Sequence, residues 1–314
     1  GKDETIYDAK TPRLRTTPQY TAYVKIAEGC DHRCAFCAIP LIRGSFRSRE
    51  MEDILAEARE LAESGVREIV LIANYGLDHY KKPMLPALLR ELAKIEKIAW
   101  IRVLYSYPKY FTDELIDVFA TEPKVVKYVD LPLQHAHDAV LRSMNRPDTR
   151  KGVERLIKKL RERIPGVAIR STFIVGFPGE TDTHYQALRS FVEEQRFDKV
   201  GIFTYSEEED TPAAAMVQKV SEEVMQERYH DLMSLQSKIS EEINIGLEGH
   251  ETDVLIEGRD AEQQAIAVGR SYREAPEVDG QIYIEGDAES RVGEIVRVRL
   301  LQGFTYDIVG ERVH

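Results

Sequence analysis

Short apolar segments alternate with amphipathic stretches along the first two thirds of this chain, and few folds accommodate that rhythm. YVKIA (23–27) is followed by MEDILAEARELAESG, EIVLIA (68–73) by PALLRELAKIE, and WIRVLY (100–105) by TDELIDVFA. YVDLPL (128–133) precedes DAVLRSMN and GVERLIKKLRER, AIRSTFIVGF (168–177) precedes THYQALRSFVEEQ, and KVGIFTY (199–205) completes the set. Each helical stretch carries apolar residues at three- and four-residue intervals, so each has one face to bury against a sheet. Strands separated by helices pair in parallel. Six strands are two short of a closed eightfold barrel, so the sequence predicts an α/β fold, an open partial (β/α)6 barrel with its site at the carboxyl ends of the strands.

Residues 221–247 read as one long helix, and beyond Gly249 the hydrophobic period changes from 3.6 to 2. TDVLIEG, QAIAVGR, GQIYIEG, EIVRVRLL and TYDIVGERV are alternating segments separated by turn residues, which predicts a small all-β five-stranded barrel, OB-like in kind. The expected units are a leading stretch 1–19 broken by Pro12 and Pro18, a partial barrel with its long helix over 20–247, and a β-barrel over 248–314. A chain of 314 residues with 43% hydrophobic content can fill one large core and a smaller one. No apolar run nears the roughly 20 residues needed to span a bilayer, and GKDETIYDAK has no signal-peptide pattern. A cytoplasmic, monomeric protein without a membrane partner is expected.

All three cysteines, Cys30, Cys34 and Cys37, fall within EGCDHRCAFCAIPLIRG, in the loop after the first strand. Their spacing is too tight for a disulfide framework, and three thiols cannot pair off completely, which points to a reducing compartment. C-x3-C-x2-C offers three thiolates to a 4Fe-4S cluster and leaves one iron open for a substrate. A buried structural trio, or a zinc site completed by His32, are the other readings.

With these residues in view, the chain resembles the radical S-adenosylmethionine (SAM) superfamily, whose members carry such a loop on a partial sixfold barrel. EGCDHRCAFCAIPLIRG, DLPLQHAHDAVLRSMNR and FIVGFPGET resemble the methylthiotransferases, and the C-terminal segments resemble their TRAM domain. The resemblance implies that Cys30, Cys34 and Cys37 hold the cluster, that Phe36 lies against the adenine of SAM, and that an electron from an external donor starts radical chemistry at an unactivated carbon. It also implies a second cluster, bound by three cysteines of an N-terminal domain that this sequence lacks, with residues 1–19 as the linker and sulfur insertion incomplete without it. IANYGLDHY (72–80) departs from the family, whose loop there is usually longer.

Other residues carry two readings each. In GFPGE (176–180), Gly176 and Gly179 permit close backbone approach to the adenosyl part of SAM, or merely a strand-to-helix turn. Arg170 and Thr172 alternate on the preceding strand, where Arg170 grips the SAM carboxylate or forms a salt bridge in the barrel wall. Gln134 ends a strand where polar groups meet substrate, whereas His135 and His137 read as a capping or solvated pair. Arg43, Arg47 and Arg49 greet an acidic substrate or pair with Glu50 and Glu52.

Charge bears on the substrate. The whole chain has a formal net charge of -11, and residues 250–314 contain 7 Arg, no Lys and 14 Asp plus Glu, giving 7 - 14 = -7. An RNA-gripping barrel is expected to be basic, so this one favours a basic protein. YREAPEVDGQIYIEG (272–286) also resembles the ribosomal-protein branch of the methylthiotransferases. The expectation is therefore methylthiolation of an aspartate β-carbon in a small-subunit ribosomal protein, with tRNA adenosine methylthiolation, or a noncatalytic ribosome-docking module with a structural metal, as the competing readings.

Overall fold

The computed structural model describes residues 8–9, 16–72 and 83–313. Most of the expected linker and, beyond Ile72, the divergent segment 72–80 lie outside the described residues. The first part of the chain contains β1 (Thr21–Lys25), β2 (Ala27–Glu28), α1 (Ile39–Arg43), β3 (Arg47–Ser48), α2 (Met51–Glu63), β4 (Glu68–Ile72), α3 (Leu85–Ala93), β5 (Trp100–Val103) and α4 (Asp113–Thr121). It continues with β6 (Tyr128–Gln134), α5 (Asp138–Ser143), α6 (Arg150–Arg163), β7 (Ala168–Val175), α7 (Asp182–Gln195), β8 (Lys199–Thr204) and α8 (Glu222–Gly246). The last part contains β9 (Glu251–Arg259), β10 (Ala267–Arg270), β11 (Ile282–Glu285), β12 (Ile295–Gly303) and β13 (Ile308–Arg312).

The partial barrel is built from two parallel three-stranded sheets, ordered β1-β4-β5 and β6-β7-β8. A parallel bridge between Ile101 and Val125 joins them, and Asp130 spans the same seam. Its backbone carbonyl accepts from the Ser106 amide at 2.9 Å and its carboxylate from the Tyr105 amide at 3.0 Å. Outward residues of the strands, among them Ile69, Leu71, Ile101, Ile169 and Phe173, share one core with Leu88, Leu92, Ile116, Phe119, Ile157 and Phe191 of the surrounding helices. Burial on both faces explains the nearly continuous apolar runs of these strands.

The C-terminal strands close into a five-stranded barrel in the order β10-β11-β13-β12-β9. Val254 and Ile256, Ile282 and Ile284, and Val296 and Val298 fill its core at every second position, as the period of 2 predicts. Leu255, which points the other way, joins Ala275 in a separate cluster with Val70, Trp100, Tyr128 and Ala168 of the partial barrel. The small barrel therefore plugs the amino end of the large one.

Polar contacts lock that plug. Buried Glu68 accepts from Arg102 of β5 at 2.9 Å and from Arg270 of β10 at 2.6 Å, while Arg102 also donates to the Tyr272 carbonyl at 2.9 Å. The Tyr128 hydroxyl reaches Asp279 at 2.6 Å, and Arg273 pairs with Asp198. Long α8 begins at Ser221, whose hydroxyl caps the Val224 amide, and ends where the Asn244 side-chain amide donates to the Phe304 carbonyl at 2.7 Å. The small barrel thus covers the amino end, while the loop that holds the cysteines follows the first strand at the carboxyl end.

Candidate functional site

The strand expected at 23–27 runs from Thr21 to Lys25, and the next residues leave the barrel. Ala27 and Glu28 pair antiparallel with Ser48 and Arg47, so β2 and β3 form a neck around the loop that holds the cysteines. Gly29 sits in that neck at φ +72°, where a Cβ would fall 2.2 Å from the Ser45 carbonyl oxygen. The Cys30 amide donates to the Gly44 carbonyl at 3.2 Å and the Phe46 amide to Asp31 at 3.0 Å, fixing both ends of the loop. Cys34 is buried, and Cys30 and Cys37 are half-buried. Burial pushes the Cys30 and Cys34 thiols up, although the Arg146 guanidinium opposes this at Cys34.

Residues 144–146, the turn after α5, form the back wall of this loop. The Met144 carbonyl accepts from the Ala35 amide at 2.9 Å, and the Asn145 side chain donates to the Arg33 carbonyl at 2.7 Å. Asn145 adopts φ 57°, a left-handed conformation that Asn tolerates better than most residues. Arg146 is buried beside Cys34, donates to the Pro132 carbonyl at 2.9 Å, pairs with Asp148 at 3.2 Å and lies 4.3 Å over the Tyr107 ring. On Tyr107 the His32 ring stacks at 4.1 Å and 5°. His32 is thus held in an aromatic stack. Among the described residues no three His, Cys, Asp or Glu side chains converge to hold a single metal ion.

Three neighbouring strands end in left-handed residues at the same rim. Tyr105 follows β5 at φ 63°, Gln134 ends β6 at φ 70°, and Gly176 follows β7 at φ 77°. For a non-glycine residue that conformation costs about 1–2 kcal/mol, and such residues gather where function requires them. Glu180 holds the third rim turn from inside. Its carboxylate accepts from the Gly176 amide at 2.9 Å and from Arg228 of α8 at 2.7 Å, and it meets His135 Nε2 at 2.9 Å. His135 is therefore a buried strut rather than half of a capping or solvated pair, whereas the His137 ring does cap the Ala139 amide at the start of α5.

A match to the radical SAM superfamily covers residues 24–192, and a match to the TRAM domain covers 249–313. The ribosomal protein uS12 methylthiotransferase RimO of Desulforamulus reducens is 50% identical over 310 residues, covering 98% of this chain and 70% of that protein. The chain belongs to the RimO family. RimO of Heliobacterium modesticaldum is likewise 50% identical over 317 residues, covering 100% of this chain and 68% of its own length. Coproporphyrinogen III oxidase HemN from Escherichia coli, a radical SAM enzyme, shares the fold with a TM-score of 0.53 at 18% identity, over 70% of this chain and 52% of that one.

Against this RimO-family frame, Phe36 packs beside the small cluster of Ala35, Val140, Met144 and Phe177, so the cysteine loop and the GFPGE turn meet. Gly176 lies there under the Met225 side chain at φ +77°, so the left-handed backbone and the close methionine both favour glycine without any cofactor. Arg170 and Thr172 lie side by side opposite Gly201, but lower in the barrel. Arg170 sits five residues before the end of β7, about 16 Å at roughly 3.3 Å per residue. It pairs with Asp130 at 3.1 Å and lines a cavity of about 320 Å³ with Lys199, Gln236, Asp279 and Tyr306. The salt bridge in the wall is what Arg170 makes. Arg49 pairs with Asp53 and with Glu57, rather than with the expected Glu50 and Glu52, because four- and eight-residue spacing brings α2 carboxylates back over it.

Sequence reasoning passed over Tyr105, Asn145 and Arg146. MNR stood inside a motif already noticed, yet only the fold shows which loop it supports.

Proposed function

We propose that this chain is the radical-generating part of a methylthiotransferase that acts on the β-carbon of an aspartate in ribosomal protein uS12. The observation that carries the reading is 50% identity to a RimO over 98% of the chain, with its three thiols gathered at the open end of the barrel. Cys30, Cys34 and Cys37 are the proposed ligands of a 4Fe-4S cluster. The donor set fits such a group: three thiols in one loop, a neighbouring buried cation at Arg146, and His32 engaged in its own stack. When bound, the cluster supplies one electron to SAM, drawn from an external donor, and the proposed sulfur source is a second cluster.

The chain's own residues position and enclose. Phe36 is assigned to the adenine, Gln134 and Gly176 to the rim around SAM, and Thr172 to the floor below it. Arg170 belongs to that floor as a wall residue. Exposed Tyr105 and Phe203 at the rim, with Ile39, Leu41 and Ile42 on α1, supply apolar surface suited to a macromolecular substrate. In the C-terminal barrel Arg270, Arg273, Arg297, Arg299 and Arg312 are already paired with carboxylates, which leaves few cations for phosphate. Long-range attraction there favours a basic protein.

The test is anaerobic reconstitution with iron and sulfide, followed by binding of uS12 and of tRNA across a salt series. The expected result is a SAM-cleaving cluster protein that binds uS12 at least ten-fold more tightly than tRNA. Preferential tRNA binding would move the substrate to RNA, and cluster-free material would remove the enzyme altogether.

A further inference from the structure

Arg146 is 5% exposed, and its Nε is buried without a hydrogen-bond partner among the described residues. A buried N–H left unpaired is costly, so such a group calls for an explanation at the site it faces. The rest of the side chain is firmly placed. Nη2 donates to the Pro132 carbonyl at 2.9 Å and lies 3.2 Å from Asp148, while the guanidinium plane covers Tyr107 at 4.3 Å. Tyr107 in turn stacks on His32, which lies between Cys30 and Cys34 in sequence. The arginine is thereby held against the cysteine loop from behind, beside Cys34.

We propose that Arg146 is a positioning residue of the cluster site, its free N–H donating to the sulfur at the Cys34 corner and raising the cluster's reduction potential. The inference rests on the cluster assignment made above. Its physical basis is that reduction adds one negative charge to the cluster, and a fixed cation with an N–H directed at sulfur stabilises the more negative state. Asp148 partly offsets that cation. Asn145 and Met144 act differently, since their hydrogen bonds go to the loop backbone and fix its shape.

The experiment uses the full chain, anaerobically reconstituted, and measures iron content and the midpoint potential by mediator titration followed by EPR. Arg146→Gln is expected to shift the reduction equilibrium at fixed potential about ten-fold toward the oxidised form, a change of about 59 mV for a one-electron couple. Arg146→Lys should recover part of it. A role in folding alone would lower iron content and leave the potential of the remaining clusters unchanged, and that result would overturn the inference. Should Arg146→Gln retain no cluster, Asp148→Asn provides the second arm. Removing that negative charge is expected to raise the potential, and an unchanged value there would overturn the inference too. Wild-type protein that binds no iron would sink the cluster assignment itself, and the inference with it.

Discussion

Arg270 of the C-terminal barrel donates to the Glu68 carboxylate of the partial barrel at 2.6 Å, with both side chains buried. Arg102 binds the same carboxylate from the neighbouring strand at 2.9 Å. Burial pushes the Glu68 carboxyl up, but the two guanidinium groups outweigh it and hold the group at about 2.

Glu68→Gln is therefore expected to destabilise the protein by roughly 3–5 kcal/mol, because two buried cations lose their partner. The sign with pH follows from the depressed value. Glu68 contributes fully above its unfolded value near 4.5, and the contribution is lost as pH falls toward 2. Urea unfolding at pH 7 and pH 3 checks this: the gap between wild type and variant should narrow at pH 3, and a constant gap would refute the assignment.

Replacing Cys30, Cys34 or Cys37 singly with Ala should remove the cluster's absorbance and most of the bound iron. The apoprotein should lose only about 1 kcal/mol in stability, since small changes that leave no buried polar group unpaired cost little. A single variant that keeps full iron would exclude that cysteine as a ligand.

Gln134→Gly relieves a left-handed backbone at φ 70° and should leave stability equal or up to about 1 kcal/mol higher. SAM cleavage should nevertheless fall about ten-fold, the equivalent of one lost polar contact. Unchanged cleavage would show that the strained position serves the turn and not the cofactor.

Arg170→Met strips the cation from Asp130, whose carboxyl burial already pushes up despite Arg170. The expected cost is roughly 3–5 kcal/mol of stability, with the KM for SAM unchanged. A large rise in KM with intact stability would instead put the guanidinium on the SAM carboxylate.

The partial barrel was legible because each strand carries its own apolar run and each helix its own apolar face, so local periodicity sufficed. Ser221 was readable as a helix start for the same reason, and the cysteines by their spacing. Arg170 shows where that ended: one arginine on an inward strand position reads equally well as a cofactor clamp or a wall strut. Its partners Asp130 and Asp279 lie 40 and 109 residues away in sequence (170 - 130 and 279 - 170); Asp130 meets it when β6 pairs with β7, and Asp279 only after the barrels dock.

Sequence thus sufficed for the elements, their order, the thiol trio and the acidic character of the last barrel, since each depends on neighbours along the chain. Tertiary structure alone decided that residues 270–279 seal the amino end, that Glu68 joins the two barrels, and that Arg146 stands behind Cys34. Those are pairings between distant residues, and hydrogen-bond geometry in a buried site selects them only once packing has excluded water.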